Sequence, residues 1–135
     1  MKENRLNEIK RIFNSYVRNL SQLRQLTCPA IQGVAYDKVA VKTDKTQNSF
    51  EQLIITYLVD KEKLEKEILL VDRVYEHFAD DRDVELAKLI DIRFRQGKKH
   101  WQAVNGVYIS DRQGLRWLDK AYAKAEELSV EMNIL

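Results

Sequence analysis

The residues first in line for catalysis or metal binding are His77, His100 and Cys28, since the chain has only two histidines and one cysteine. The histidines stand far apart, and no carboxylate or thiol spacing joins either into a metal-ligand set. Nothing in the order of residues pairs Cys28 or a serine with a histidine base, and a lone cysteine excludes an internal disulfide. Asp80-Asp81 and Glu126-Glu127 have the look of helix caps and tails rather than paired catalytic carboxylates. No phosphate-binding glycine loop occurs. These features predict neither an enzyme nor a cofactor. The side chains with chemistry left to perform are cations and amides near the C-terminus: Arg112, Gln113 and Arg116, with Lys98 and Lys99 before them and Lys120 and Lys124 after. An arginine forks onto guanine and a glutamine onto adenine, while lysines and serine hydroxyls suit phosphate oxygens.

Charge is segregated to match. The net charge is +2, yet residues 82–124 carry ten Lys/Arg against five Asp/Glu. A basic block of this kind suits a polyanion, although solvated helix faces account for it equally well. No apolar run reaches the ~20 residues of a bilayer span, and MKENRLNEIK lacks the apolar core of a signal peptide. The expectation is a soluble, cytoplasmic protein.

The elements that position these residues read as helices, for the chain has only four Gly and one Pro among 33% charged residues. Leu6, Ile9, Phe13, Tyr16, Leu20 and Leu23 form a heptad stripe that predicts one helix over 4–26, ended by Pro29. Residues 27–48 lack helical periodicity, and VAVKT within them suggests a short extended segment. A second long helix is expected from Asn48 or Ser49, its stripe running through Phe50, Ile54, Tyr57, Leu64, Ile68, Val71, Tyr75 and Phe78. The two stripes fit an intramolecular hairpin, a homodimeric coiled coil, or both. ADDRD at 79–83 should cap a third helix over 84–95 with Leu86, Leu89, Ile90 and Phe94 inside, and Gly97 should close it.

Residues 98–128 then divide into two helices. The first spans about 99–106 with Trp101 and Val104 facing inward. The second is capped by Ser110 and buries Leu115, Leu118 and Tyr122. The gap NGVYIS supplies Gly106, as a helix-turn-helix requires. The expected architecture is all-α: a helical arm over 1–80 with its connector at 27–48, then a three-helix helix-turn-helix module over 81–135. Asp111, Arg112, Gln113 and Arg116 would lie on the open side of the second helix, with Ser110, Lys98, Lys99, Lys120 and Lys124 on phosphates.

IRFRQGKKHWQAVNGVYISDRQGLRWLDKAYAKAEEL resembles the sigma-factor region-4-like helix-turn-helix, most closely that of phage late-transcription regulators of the RinA/ArpU type. The matching elements are Arg93 to Lys98, Trp101, Ile109-Ser110 and Ala121, and more loosely VAYD at 34–37. The chain departs from that pattern at Val104, where the family has Ala, at Tyr108, where it has the turn glycine, and at Gly114, where it has a β-branched residue. The glycine alone should cost the helix up to ~1 kcal/mol. The resemblance implies a sequence-specific, double-stranded-DNA-binding regulator of packaging and structural genes, working in a bacterial host cell beside RNA polymerase. Two alternatives share the same features: a helical protein-interaction module without DNA binding, and the DNA-recognition small subunit of a phage terminase.

Overall fold

The computed structural model describes residues 3–26, 44–80 and 83–134, with side chains from Phe50 onward in the second stretch. Among the described residues there is no strand. The helices are α1 (Glu3–Asn14), α2 (Tyr16–Gln25), α3 (Asp44–Asp80), α4 (Val84–Ile90), α5 (His100–Val107) and α6 (Asp111–Glu131), with a π-helical turn, Asp91–Arg95, continuing α4.

The expected first helix is thus two. The break falls at Ser15, whose φ of −93° and ψ of 1° leave the helical region. The Ser15 N–H is shared between the carbonyls of Arg11 at 3.0 Å and Ile12 at 3.3 Å, so the chain bends rather than parts. The bend lets one heptad stripe serve two surfaces: α1 packs on α3 and α6, and α2 on α3 and the π turn. Helix α2 runs antiparallel to α3. The Tyr16 hydroxyl donates to Asp72 Oδ1 at 2.8 Å at one end, and Leu26 shares a surface cleft with Asp60 and Leu64 at the other.

Helix α3 begins at Asp44, so the expected cap at Asn48 or Ser49 falls inside it, and the connector is shorter than expected. VAVKT and VAYD lie outside the described residues. Toward its C-terminal end α3 buries more than the predicted stripe. Leu70 and Val74 are fully buried beside Ile68, Val71 and Phe78, because α4 and α6 cover a second side of the helix. Residues 53–59 behave differently: Leu53, Ile55, Leu58 and Val59 are each more than half exposed. All four predicted core residues of 84–95 are buried. Asp83 stands at the N-cap position of α4 without a side-chain cap bond, since its carboxylate accepts from Lys120 Nζ at 3.0 Å instead.

Phe13 is at the centre of the core. Its ring meets Phe94 edge-on at 5.1 Å and Tyr122 at 5.5 Å, joining α1 to the π turn and to α6. One continuous core therefore crosses residue 80, and the expected division into 1–80 and 81–135 does not coincide with a division in packing. Around the core, the nearly buried Glu67 carboxylate accepts from Arg11 at 2.7 Å, and Arg11 also binds Glu8 at 2.6 Å. That bond from Arg11 holds the Glu8 carboxyl below its ordinary range. No described helix is long and apolar enough to cross a membrane.

Truncating Phe13 to Ala removes the shared ring of the cluster. A loss of ~3–5 kcal/mol in urea unfolding is expected, and a loss below 1 kcal/mol would show that the cluster is not the core's centre. Burial raises the phenols of Tyr16 and Tyr122 above the ordinary 10.0. A raised folded-state pKa contributes stability that is present below the unfolded value and lost as pH rises through the folded one. Stability should therefore fall above about pH 10, and a Tyr122→Phe variant should lose less of its own stability over that range.

A cationic helix pair as candidate nucleic-acid interface

Helices α5 and α6 meet at close range because one of them has a glycine at the crossing. A Cβ placed on Gly114 would stand 2.5 Å from Val104 Cγ1 and 3.0 Å from His100 Cε1. The helix penalty expected of Gly114 is thus tied to a packing requirement. Val104 is larger than the alanine of the resembled pattern, and Gly114 leaves the space that it fills. The two departures are complementary across the pair.

The turn differs from expectation in the same compensating way. Gly106 lies inside α5, pressed toward Ile92, and the left-handed residue is Tyr108 at φ 61°. An L side chain in this region costs ~1 kcal/mol or more. Tyr108 pays with no burial, being 93% exposed, and the turn is held by Ile109 N–H donating to the Val104 carbonyl at 3.1 Å. Ser110 caps α6 as predicted: its Oγ accepts from Gln113 N–H at 3.1 Å. Asp111 then places a carboxylate in the first turn, where the helix dipole favours it. At the start of α5, Gln102 Oε1 reaches back to accept from Lys99 N–H at 3.0 Å.

Two predicted core residues are in fact on the surface. Trp101 is 56% and Leu115 53% exposed. Helix α5 buries Ala103, Val104 and Val107 instead, and α6 buries Gly114, Leu118, Ala121, Tyr122 and Ala125. Leu115 is about 60° round the helix from Leu118, enough to carry it off the contact and onto the face of Arg112 and Arg116.

The structure separates the predicted cations into two groups. Arg112 and Arg116 are exposed, lie within about 40° of each other on α6, and have no carboxylate within salt-bridge distance among the described residues. Lys98 and Lys99 are likewise exposed and unpaired in the loop before α5. Lys120 and Lys124 are engaged. Lys120 binds Asp83 at 3.0 Å and lies over the Phe78 ring, while Lys124 sits 3.4 Å from Glu127. Lys120 lies only about 40° beyond Arg116 on the helix, so its ion pair with Asp83 and not its direction draws it off, whereas Lys124 points about 120° away from Arg112. Gln113 is half-buried at the edge of that face, Asp119 is exposed on it, and Asp111 is exposed in the first turn about 100° round from Arg112.

The His100 ring is occupied within the fold. Nδ1 lies 3.1 Å from Arg93 Nη1, and Nε2 lies 3.2 Å from the Asp111 carbonyl. A guanidinium can only donate, so Nδ1 accepts and Nε2 carries the hydrogen toward Asp111. The ring thereby ties the π turn, the start of α5 and the first turn of α6 together. These two contacts were invisible in the sequence, where His100 carried no spacing signal. Comparison with protein-family models, curated proteins and solved structures finds no match.

The Val104–Gly114 contact yields a sharp expectation. Gly114→Ala should destabilise by ~1–3 kcal/mol through overpacking, although alanine is the better helix former. In a Val104→Ala background the same change should become neutral or stabilising. Additive effects in that double-mutant cycle would mean that the two residues do not share the space.

Proposed function

We propose that the chain is a sequence-specific double-stranded-DNA-binding regulator of transcription, of the kind that controls phage late genes. The observation that carries this reading is the pair of unpaired arginines, Arg112 and Arg116, on the open face of a capped helix whose partner helix begins beside Lys98 and Lys99. In this reading α5 and α6 form a helix-turn-helix, with the first turns of α6 in the major groove. Arg112 and Arg116 fork onto guanines, Gln113 reaches adenine from the edge of the face, and the exposed Leu115 packs on thymine methyls. Asp111 and Asp119 limit which bases the face accepts, since a carboxylate is repelled by phosphate and welcomes only a donor such as the cytosine amino group. Lys98, Lys99 and Ser110 hold the backbone and set the register. Lys120 and Lys124, engaged elsewhere, are left out of the interface.

A second role for the same chain has its own support. Over residues 53–59 α3 carries Leu53, Ile55, Leu58 and Val59 more than half exposed, on a segment apolar over more than half its circumference. That surface is suited to a protein partner, either a second copy or RNA polymerase. Association through it is compatible with DNA reading by α6 and also serves a pure interaction module.

Salt-dependent binding to duplex fragments tests the main reading. Arg112→Ala with Arg116→Ala should relax base preference at a cost of ~1–3 kcal/mol for each bidentate contact, whereas Lys98→Ala with Lys99→Ala should weaken every duplex and flatten the salt slope by about 2. A folded protein that shifts no duplex at low salt would leave the interaction role of α3 as the better account. For that role, Leu53→Glu with Leu58→Glu should dissociate any dimer seen in sedimentation.

A further inference from the structure

A cleft of about 740 Å³ opens between α2 and the loop that leads into α5. Arg18 stands on its α2 side, and Arg93, Lys98 and Lys99 on the other, with Phe13, Val17 and Phe94 beneath. No carboxylate lines it among the described residues. That absence sets it apart from three neighbouring clefts, which include Asp60 and Glu67, Glu8 and Glu62, or Asp83 and Glu85. Four cations on one concavity repel one another, and an anionic ligand that bridges them relieves the repulsion.

The cleft is built rather than incidental. Gly97, at φ 72°, brings the loop so near α2 that an added Cβ would lie 3.1 Å from Val17 Cγ2. Lys98 N–H donates to the Ile92 carbonyl at 3.2 Å and closes the π turn behind it. Arg93 is held by His100 at 3.1 Å and by stacking on Phe94 at 5.1 Å. Among the described residues Arg18 has no carboxylate partner, only a long bond to Ser15 Oγ at 3.4 Å. Through His100 the cleft adjoins the first turn of α6.

We infer that this cleft is a phosphate-binding site that takes the duplex backbone flanking the bases read by α6, with Arg18 of α2 as its outer contact. The inference rests on the DNA-binding reading and extends the interface onto a helix that the basic C-terminal block does not include. It makes the bend at Ser15 part of the interface, because α2 carries Arg18 to the cleft only in its bent position.

The test compares Arg18→Ala with Arg24→Ala, an equal loss of charge from an exposed residue of α2 that does not line the cleft. Binding of the full chain to duplex DNA is measured against salt, and thermal stability is measured with and without inorganic pyrophosphate. Arg18→Ala should weaken all duplexes by roughly tenfold and reduce the salt slope by about 1, with base preference intact; Arg24→Ala should do much less. Pyrophosphate should raise the melting temperature of the parent chain and of Arg24→Ala, but not of Arg18→Ala. If the two variants match in both measurements, the cleft is not a phosphate site, whatever Arg112 and Arg116 do. If the parent chain binds no duplex while pyrophosphate protection still depends on Arg18, the phosphate site stands with a free phosphate as its source, and the DNA-binding reading falls.

Discussion

The edge-to-face contacts of Phe13 with Phe94 and Tyr122 are the constraint on which the other arrangements depend. They join the N-terminal helix to the π turn and to α6, segments more than eighty residues apart in sequence for Phe94 and more than one hundred for Tyr122. Aromatic pairs of this geometry contribute ~0.5–1.5 kcal/mol beyond the area that they bury. Their larger effect is on orientation. With Phe13 in place, α1 is pinned against α6, the bend at Ser15 turns α2 toward α3, and Val17 comes under Gly97. The position of the basic loop relative to α2 follows from packing in the core, with no bond between charged groups needed to set it.

Polar contacts then fix local detail around that core. Tyr16 and Arg95 share Asp72, Arg11 bridges Glu8 and Glu67, and Arg95 also meets Asp91 at 3.3 Å. These networks tie up the carboxylates of the central bundle. Among the described residues, Arg112 and Arg116 on α6's open face and Lys98 and Lys99 in the loop before α5 are among the cations without such partners. A protein whose charges were all neutralised in this way would hold no focused field. Here Lys98, Lys99, Arg112 and Arg116 stand exposed on either side of the α5–α6 pair.

The long helix α3 shows how one element serves two ends. Its C-terminal half is walled in by α2, α4 and α6, and Leu70, Val71 and Val74 are fully buried there. Past the end of α2 near Asp60, Leu53, Ile55, Leu58 and Val59 are more than half exposed. The heptad stripe, interrupted only by Lys61, therefore runs through two environments. Periodicity alone does not reveal the change, because a helix presents the same spacing to its own chain as to a partner.

Much of the fold was legible in the sequence because local chemistry decides it. Low Gly and Pro content made the chain helical; Ser110 could cap α6 wherever that helix went; Gly97 was placed to accept a left-handed φ. The core residues of 84–95 followed from their spacing for the same reason. What the tertiary structure decided was which of two adjacent stripes each helix buries and which charges find partners. Leu115 and Leu118 differ by about 60° on one helix, and only the position of α5 selects between them. Trp101 is exposed because Ala103, Val104 and Val107 fit the narrow gap that Gly114 creates. Lys120 is drawn off by Asp83, thirty-seven residues away, and His100 is locked between Arg93 and the Asp111 carbonyl. Those outcomes depend on distances between segments remote in sequence, and helical periodicity contains angles but no such distances.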